Sequence, residues 1–513
     1  MSHKEKKLRE REKREAKFAE DIISGKVIYV PYEDRKKKRA KPNRKSEAET
    51  PEEEMESRED MVERATRLYR VILPGLLAKF ERIEDPRQPK KVKHKVTVLM
   101  LYGILMFAFQ TGSRREANTM LSKPIAFKNM QAIFPELETM PHADTLARFL
   151  ETIDVEEIQN CHVELLKDLM RNKKFKNMLI NGKYIVAVDG TQKFVRNYQW
   201  QKESLQRHVG PDKKEQYYAY VLEAVLIFEN GLVLPVQTEI LDNKDWKPEE
   251  TKQDCESKAF KRMAVKLYKI FGKGKVILVA DGLYATEPVI TICNKYEWDY
   301  MITAKEGCMR EVWSNAQGAI KKNLHEGKAV QWGDRKQEYK WLNNVEYGSE
   351  KKPKTAHIVY CYETWIENNE RSSKTPEGKT TMYAWISSRE ITDSNVFKRC
   401  TDIARRRWRI ENNFHVEKHD GYEYEHCYSY NWSAMKGFHY LMKIARFING
   451  LIINSEIVSG YVADSGVSGF FKDLWLAISG AALTHKRIKA AATGKFLWRL
   501  NVEDVFKVRQ SSG

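Results

Sequence analysis

The sequence predicts an α/β core that carries a β-rich insertion, with helical regions before and after it. Three observations lead there. Apolar residues recur at helical spacing from about residue 61 to 180; at Tyr184 they change to short, almost wholly apolar runs; and from about 306 to 380 short alternating runs such as AHIVYCY are separated by polar stretches containing Gly and Pro. The 513 residues, 42% of them apolar, suffice for two or three packed units plus tails.

Residues 1–60 are rich in charge and poor in large apolar side chains, so they are expected to form a disordered arm. Eight of the eleven residues from Arg35 to Lys45 (RKKKRAKPNRK) are basic, and the acidic stretch PEEEMESRED follows, which leaves a DNA-contacting arm and a solvating tail equally open. Residues 61–180 read as a helical domain through MVERATRLYRVILPGLLAKF and VTVLMLYGILMFAF, with Asp144 as the N-cap of TLARFLETI. The apolar run Val96 to Phe109 has 14 residues, short of the roughly 20 that span a bilayer, so it is expected as a buried helix.

From 181 to 305 the first part of the core follows. YIVAVDG predicts a strand, YYAYVLEAVLIFENGLVLPVQTEI a hairpin turning at Asn230-Gly231, ESKAFKRMAVKLYKIFG a helix, and VILVADG a further strand, as in a mixed layer with a parallel component. Residues 306–380 are the β-rich insertion, and 381–430 the second part of the core. There TTMYAWISS reads as a returning strand and NVFKRCTDIARRRWRIENNFHVEKH as one long helix. Residues 431–513, including GFHYLMKIARFINGLII, are expected to be helical.

Lys and Arg outnumber Asp and Glu by 89 to 71, a formal +18 that suits a polyanionic partner, with nucleic acid ahead of an anionic membrane. The N-terminus MSHKEKKLRE has no apolar segment of the secretory kind, and the seven cysteines contain no CxxC pair. Both point to the cytoplasm, with the thiols reduced and serving as buried small hydrophobes.

Asp189 and Asp281 each follow an apolar run and precede Gly, in VAVDG and LVADG. Side chains at strand ends project into a crevice while the backbone is fixed, though a lone Asp-Gly there is as readily a turn. Glu411 lies in RRRWRIENNFHVEKH, where helical spacing places Arg407, Glu411 and Lys418 on one face; a solvated face with ion pairs has the same pattern. Three converging carboxylates make an oxygen-rich cage for Mg²⁺. Two such ions about 4 Å apart can assist in-line displacement at phosphorus. His415 and His419 are spaced for zinc, but the zinc-protease pattern needs Glu directly after the first His, and Val416 stands there. Trp408 is either a stacking platform for a base or a core residue, and Lys305 either a phosphate contact or a solvated lysine.

Asp189 in VDGTQ, Asp281 in ADGLYA, and Arg407-x3-Glu411-x6-Lys418 resemble the DDE transposases of bacterial insertion sequences, specifically the insertion-sequence-four group with its Tyr-x2-Arg-x3-Glu-x6-Lys motif. Ala404 takes the place of the Tyr. The resemblance covers roughly residues 85–455, including KQDCESKAFKRM. It implies a ribonuclease-H-like catalytic core and a β-rich insertion between the second Asp and the Glu. It also implies release of a 3′-hydroxyl at each transposon end and attack of that hydroxyl on target DNA. Asp189, Asp281 and Glu411 would be the catalytic and metal-binding acids, for two Mg²⁺ per site with Mn²⁺ as a substitute. Arg407 and Lys418 would grip phosphates. Double-stranded DNA would be the partner, bound by a homodimer in a synaptic complex, in the cytoplasm with the nucleoid. A metal-dependent nuclease without strand transfer, or a non-catalytic DNA binder, would share many of these features.

Overall fold

The computed structural model describes residues 28–30, 48–247, 252–348, 354–367, 377–480, 484–494 and 496–501. The basic run at 35–45 lies outside the described residues. The chain divides into two compact units, Met1–Ala40 with Val276–Arg407, and Lys41–Lys275 with Trp408–Gly513.

After a short strand β1 (Ile28–Val30), helix α1 (Pro51–Phe80) opens the larger unit. The Thr50 hydroxyl accepts the Glu53 N–H at 3.2 Å, Glu53 reaches back to the Glu49 N–H at 2.8 Å, and Pro51 holds the first helical position. That capping starts the helix inside the stretch expected to belong to the arm, so PEEEMESRED is helical. Its Glu59 is then held by Arg487 at 3.1 Å. Helix α2 (Val96–Ala108) is the long apolar run, buried from Val98 onward as expected for a core helix. Helices α3 (Arg114–Leu121), α4 (Pro124–Ile133), α5 (Ala143–Leu150) and α6 (Glu156–Arg171) follow. Asp144 is not the cap of α5: the ring of His142 accepts the Asp144 N–H at 3.2 Å, while the Asp144 carboxylate pairs with Arg114.

Strands β2 (Tyr184–Arg196), β3 (Leu205–Val209), β4 (Lys214–Ile227) and β5 (Val233–Leu241) form an antiparallel group in which β4 pairs with the other three. The β4–β5 hairpin turns at Asn230-Gly231 as the sequence predicts; Gly231 has φ 92°, and the Asn230 side chain accepts the Leu232 N–H at 3.1 Å. Helix α7 (Glu256–Phe271) ends at Gly272, with φ 81°.

In the smaller unit, β6 (Val276–Ala280), α8 (Glu287–Lys295) and β7 (Asp299–Thr303) make a crossover that leaves β6 and β7 parallel. Helix α9 (Arg310–Lys321) and strands β8 (Glu326–Trp332), β9 (Arg335–Tyr347), β10 (Lys354–Glu367) and β11 (Glu377–Ser387) follow. Within this unit the strand order is β1-β8-β9-β10-β11-β7-β6. The insertion is therefore an antiparallel ladder continuous with the core strands, because β11 hydrogen-bonds to β10 on one side and β7 on the other.

The single long helix expected up to His419 is broken. A π-helical turn (Lys398–Ile403) and a 3₁₀ turn (Ala404–Arg407) precede α10 (Trp408–His419). The altered pitch lets successive arginines meet different partners: Arg399 reaches the Ser387 hydroxyl at 3.1 Å, and Arg405 pairs with Glu363 of β10.

Helix α11 (Trp432–Ile453) runs through the larger unit with nearly every side chain buried. Helix α12 (Ser459–Gly480), kinked at Gly466, and α13 (His485–Thr493) are the last described helices. Among the described residues no helix is long and apolar enough to cross a membrane. Every cysteine is a free thiol; Cys161, Cys293, Cys361 and Cys400 are buried as expected, whereas Cys308 and Cys427 are half-buried and Cys255 is exposed.

Candidate active site

Asp189 lies within β2, not at its end. The strand continues to Arg196 because β4 is long enough to pair with all of it, and Asp189 stands opposite Glu223. Its Oδ1 accepts the Gly190 N–H at 2.9 Å, which orients the carboxylate. A Cβ on Gly190 would come within 2.6 Å of the Glu256 carboxyl carbon and 2.7 Å of the Tyr220 hydroxyl. Those two are bonded to each other, Tyr220 donating to Glu256 at 2.7 Å. Burial and this acceptor push the Tyr220 phenol well up, so it remains a donor. Nothing in the sequence near Asp189 singles out Tyr220 or Glu256. Gly190→Ala is expected to destabilise the protein by about 1–3 kcal/mol, as overpacking does, and to displace Asp189; a urea melt checks it.

Glu411 sits half-buried in the first turn of α10, which packs against β2, so Asp189 and Glu411 are carried by adjoining elements. Ile410, Asn413, Phe414 and Glu417 face inward, while Trp408, Asn412, His415 and His419 are exposed. Trp408 is 53% exposed, which removes the core reading for it. Lys418 pairs with Glu425 at 2.7 Å. His415 and His419 have ring centroids 4.7 Å apart.

In the other unit, Asp281 follows β6 directly and caps the turn Gly282–Tyr284, its Oδ1 accepting the Leu283 N–H at 2.9 Å. Lys305 lies over this turn: a Cβ on Gly282 would be 3.1 Å from the Lys305 Cε. The turn Ala404–Arg407 packs against β6 and β7, with Ala404 and Arg407 buried. Asp281 and Lys305 are thus brought together in one unit, and Asp189, Glu411, Trp408 and Lys418 belong to the other. Among the described residues no group of three or more His, Cys, Asp and Glu side chains is gathered to hold a metal ion. The donor chemistry nonetheless suits a hard divalent cation, since Asp189 and Asp281 are both half-buried carboxylates oriented by a backbone N–H.

Beneath Asp189 and Glu411 the larger unit buries a charged network that the sequence does not announce. Lys443 of α11 lies 2.9 Å from Glu223 and 2.6 Å from Glu417, both fully buried. Burial alone would raise Glu223, but Lys443 and His439 hold its carboxyl down at about 2. Burial, with Lys193 nearby, lowers His439 to about 3 and keeps it neutral. Burial, reinforced by Lys443 and opposed by Glu223, Cys427 and Glu417, brings Lys193 down to about 7 from an ordinary 10.5. Its ammonium donates to the Tyr424 carbonyl at 2.9 Å.

Between pH 7 and 10.5 the unfolded chain keeps a proton on Lys193 that the folded chain has lost. Stability therefore rises with pH across that window, and the full cost of the buried charge is felt below it. Lys193→Met is expected to be more stable than the parent at pH 6, by an amount on the order of a few kcal/mol, with the advantage shrinking toward pH 9. Thermal melts at a series of pH values test the sign; an advantage that grew with pH would contradict it.

A family model described as Transposase DDE domain matches residues 180–448, and a second, described as DDE_Tnp_1-associated, matches residues 77–166. No curated protein matches the chain. The first match spans Asp189, Asp281, Lys305, Arg407, Trp408, Glu411 and Lys418.

Proposed function

Because the chain belongs to the transposase DDE domain family, we propose that it is a cut-and-join transposase, releasing 3′-hydroxyls at transposon ends and joining them to target DNA. The family gives it a ribonuclease-H-like core, a DNA substrate and transposase function. The observation that supports the finer reading is the single match enclosing all three acids, two of them on β2 and the α10 packed against it, with Arg407, Glu411 and Lys418 at the spacing of the family motif.

Asp189, Asp281 and Glu411 would hold two Mg²⁺ ions, with Mn²⁺ as a substitute. Bound there, such ions lower the pKa of an attacking hydroxyl and offset charge on the leaving oxygen. The chain's own residues do the rest. Lys418 and Lys305 grip phosphates flanking the scissile bond, where charge-assisted contacts position the strand; Arg407, buried in the turn before α10, would join them once bound DNA exposes its guanidinium. Trp408, exposed one turn before Glu411, stacks on a base. In the first step water attacks phosphorus and the 3′-oxygen leaves, taking a proton; in the second that 3′-hydroxyl attacks a target phosphate and displaces a 3′-oxygen of the target strand. Two ends joined in one event call for a homodimer in a synaptic complex.

The test is incubation of the protein with DNA bearing the element's own ends and Mg²⁺ or Mn²⁺, followed by mapping of nicks and of joined products. Nicks at the ends together with joined products support the proposal. Nicking without joining would make the protein a nuclease, and binding without nicking a DNA-binding derivative.

A further inference from the structure

Lys443 occupies a place where a helix core would ordinarily hold an apolar side chain. Only 2% of it is exposed, and it faces two acids, Glu223 and Glu417, that are themselves fully buried. A buried ion cluster of this kind is seldom the most stable filling for a core, since desolvating the charges offsets most of their attraction. What the cluster joins is more telling than its strength. Glu223 is the cross-strand partner of Asp189, and residues directly opposite in an antiparallel pair share a face of the sheet. Glu417 belongs to α10, the helix that carries Glu411.

The network leaves these groups little slack. Glu223 accepts from Lys443 at 2.9 Å, the His439 ring at 3.0 Å, the Tyr424 hydroxyl at 3.2 Å and the Thr238 hydroxyl at 2.8 Å. Glu417 accepts from Lys443 at 2.6 Å and from the Asn413 amide at 2.9 Å. Partners thus arrive from β4, β5, α10, α11 and the segment between α10 and α11, and no one element can shift without breaking a charged hydrogen bond in a dry interior.

We propose that Lys443 is a positioning residue for DNA cleavage: its ammonium clamps Glu223, beside Asp189, to Glu417, on the helix of Glu411, and so sets the separation of those two acids. The inference rests on the reading of Asp189 and Glu411 as metal-holding acids. Without the clamp α10 can slide along β2, and a displacement of about 1 Å at a reacting centre costs on the order of 10²-fold in rate.

The experiment uses the full-length protein and Mn²⁺ itself as the probe, titrated by electron paramagnetic resonance in the presence of uncleaved end DNA, alongside cleavage measured over a range of Mg²⁺. Lys443→Met keeps the length of the side chain and removes its charge. At a temperature where circular dichroism shows it folded, it is expected to bind Mn²⁺ at least ten-fold more weakly and to need correspondingly more Mg²⁺ for half-maximal cleavage, with DNA affinity unchanged. A merely structural lysine would lower the folded fraction and leave the metal dependence alone. Glu417→Gln, which retains the Lys443–Glu223 pair, should shift the same way by less, and decides the matter if Lys443→Met does not fold. Unchanged Mn²⁺ affinity and Mg²⁺ dependence in the folded variants would overturn the inference. Asp189→Asn serves as the control: if it is inactive while Lys443→Met behaves as the parent, only the clamp is wrong; if it binds Mn²⁺ and cleaves normally, the reading of the acids fails and the clamp with it.

Discussion

Asp189→Asn and Glu411→Gln are each expected to lower the rate of end cleavage by about 10³-fold or more while leaving affinity for end DNA within about two-fold of the parent. Asparagine keeps the shape of aspartate and still offers an oxygen to the Gly190 N–H, so the strand is undisturbed. What is lost is the anionic oxygen. Groups that act as one unit are not additive, so the double variant should be scarcely slower than either single one. Nicking assays with labelled ends, paired with gel-shift titrations, measure both quantities. Cleavage within ten-fold of the parent in either variant would remove that acid from the chemistry.

The second large effect is expected at Glu363. This fully buried carboxylate of β10 holds two guanidinium groups, Arg335 of β9 and Arg405 of the turn leading to α10. Trp332 and Tyr383 flank Arg405, with their ring centroids 5.1 and 4.5 Å from its guanidinium carbon. Glu363→Gln removes the carboxylate charge that faces both guanidinium groups and leaves the buried Arg335 cation beside the half-buried Arg405. Breaking a buried pair in this way costs about 3–5 kcal/mol, a large share of a typical domain's stability. Replacing all three together, with Glu363→Leu, Arg335→Met and Arg405→Met, should recover much of the loss, because an apolar filling carries no desolvation cost. Urea unfolding of the parent, the single and the triple variant measures this. A single variant destabilised by less than about 1 kcal/mol would show that the cluster is hydrated or otherwise compensated.

Features governed by neighbours in the chain were legible in the sequence. The Asn230-Gly231 turn, the apolar helix α2, the helix α7 ending at Gly272, and the strand delivering Asp281 to a turn all follow from local pattern. Where the reading departs from the structure, partners distant in sequence decide. The Gly after Asp189 resembles a strand terminator, yet the length of β4 carries β2 on to Arg196. The stretch before α10 reads as part of one long helix, yet Arg405 and Arg399 are held by Glu363 and Ser387, on strands β10 and β11, where that helix breaks. Asp144 has a cap's chemistry, but the helix starts at Ala143 and places Asp144 inside its first turn, so the role falls to His142. No local pattern marks Glu417 as buried; only the fold places Lys443 beside it.

Strand β11 serves two masters. Trp385, Ile386 and Ser387 bond to Thr303, Ile302 and Met301 of β7 on one side and to Val359, Ile358 and His357 of β10 on the other. Cutting out 306–380 as a detachable module would strip these residues of one row of partners, leaving N–H and C=O groups bare and inviting another chain to add itself there. A shortened form of the protein would be more prone to self-association than to independent folding, and any smaller relative would need a different way of closing that border.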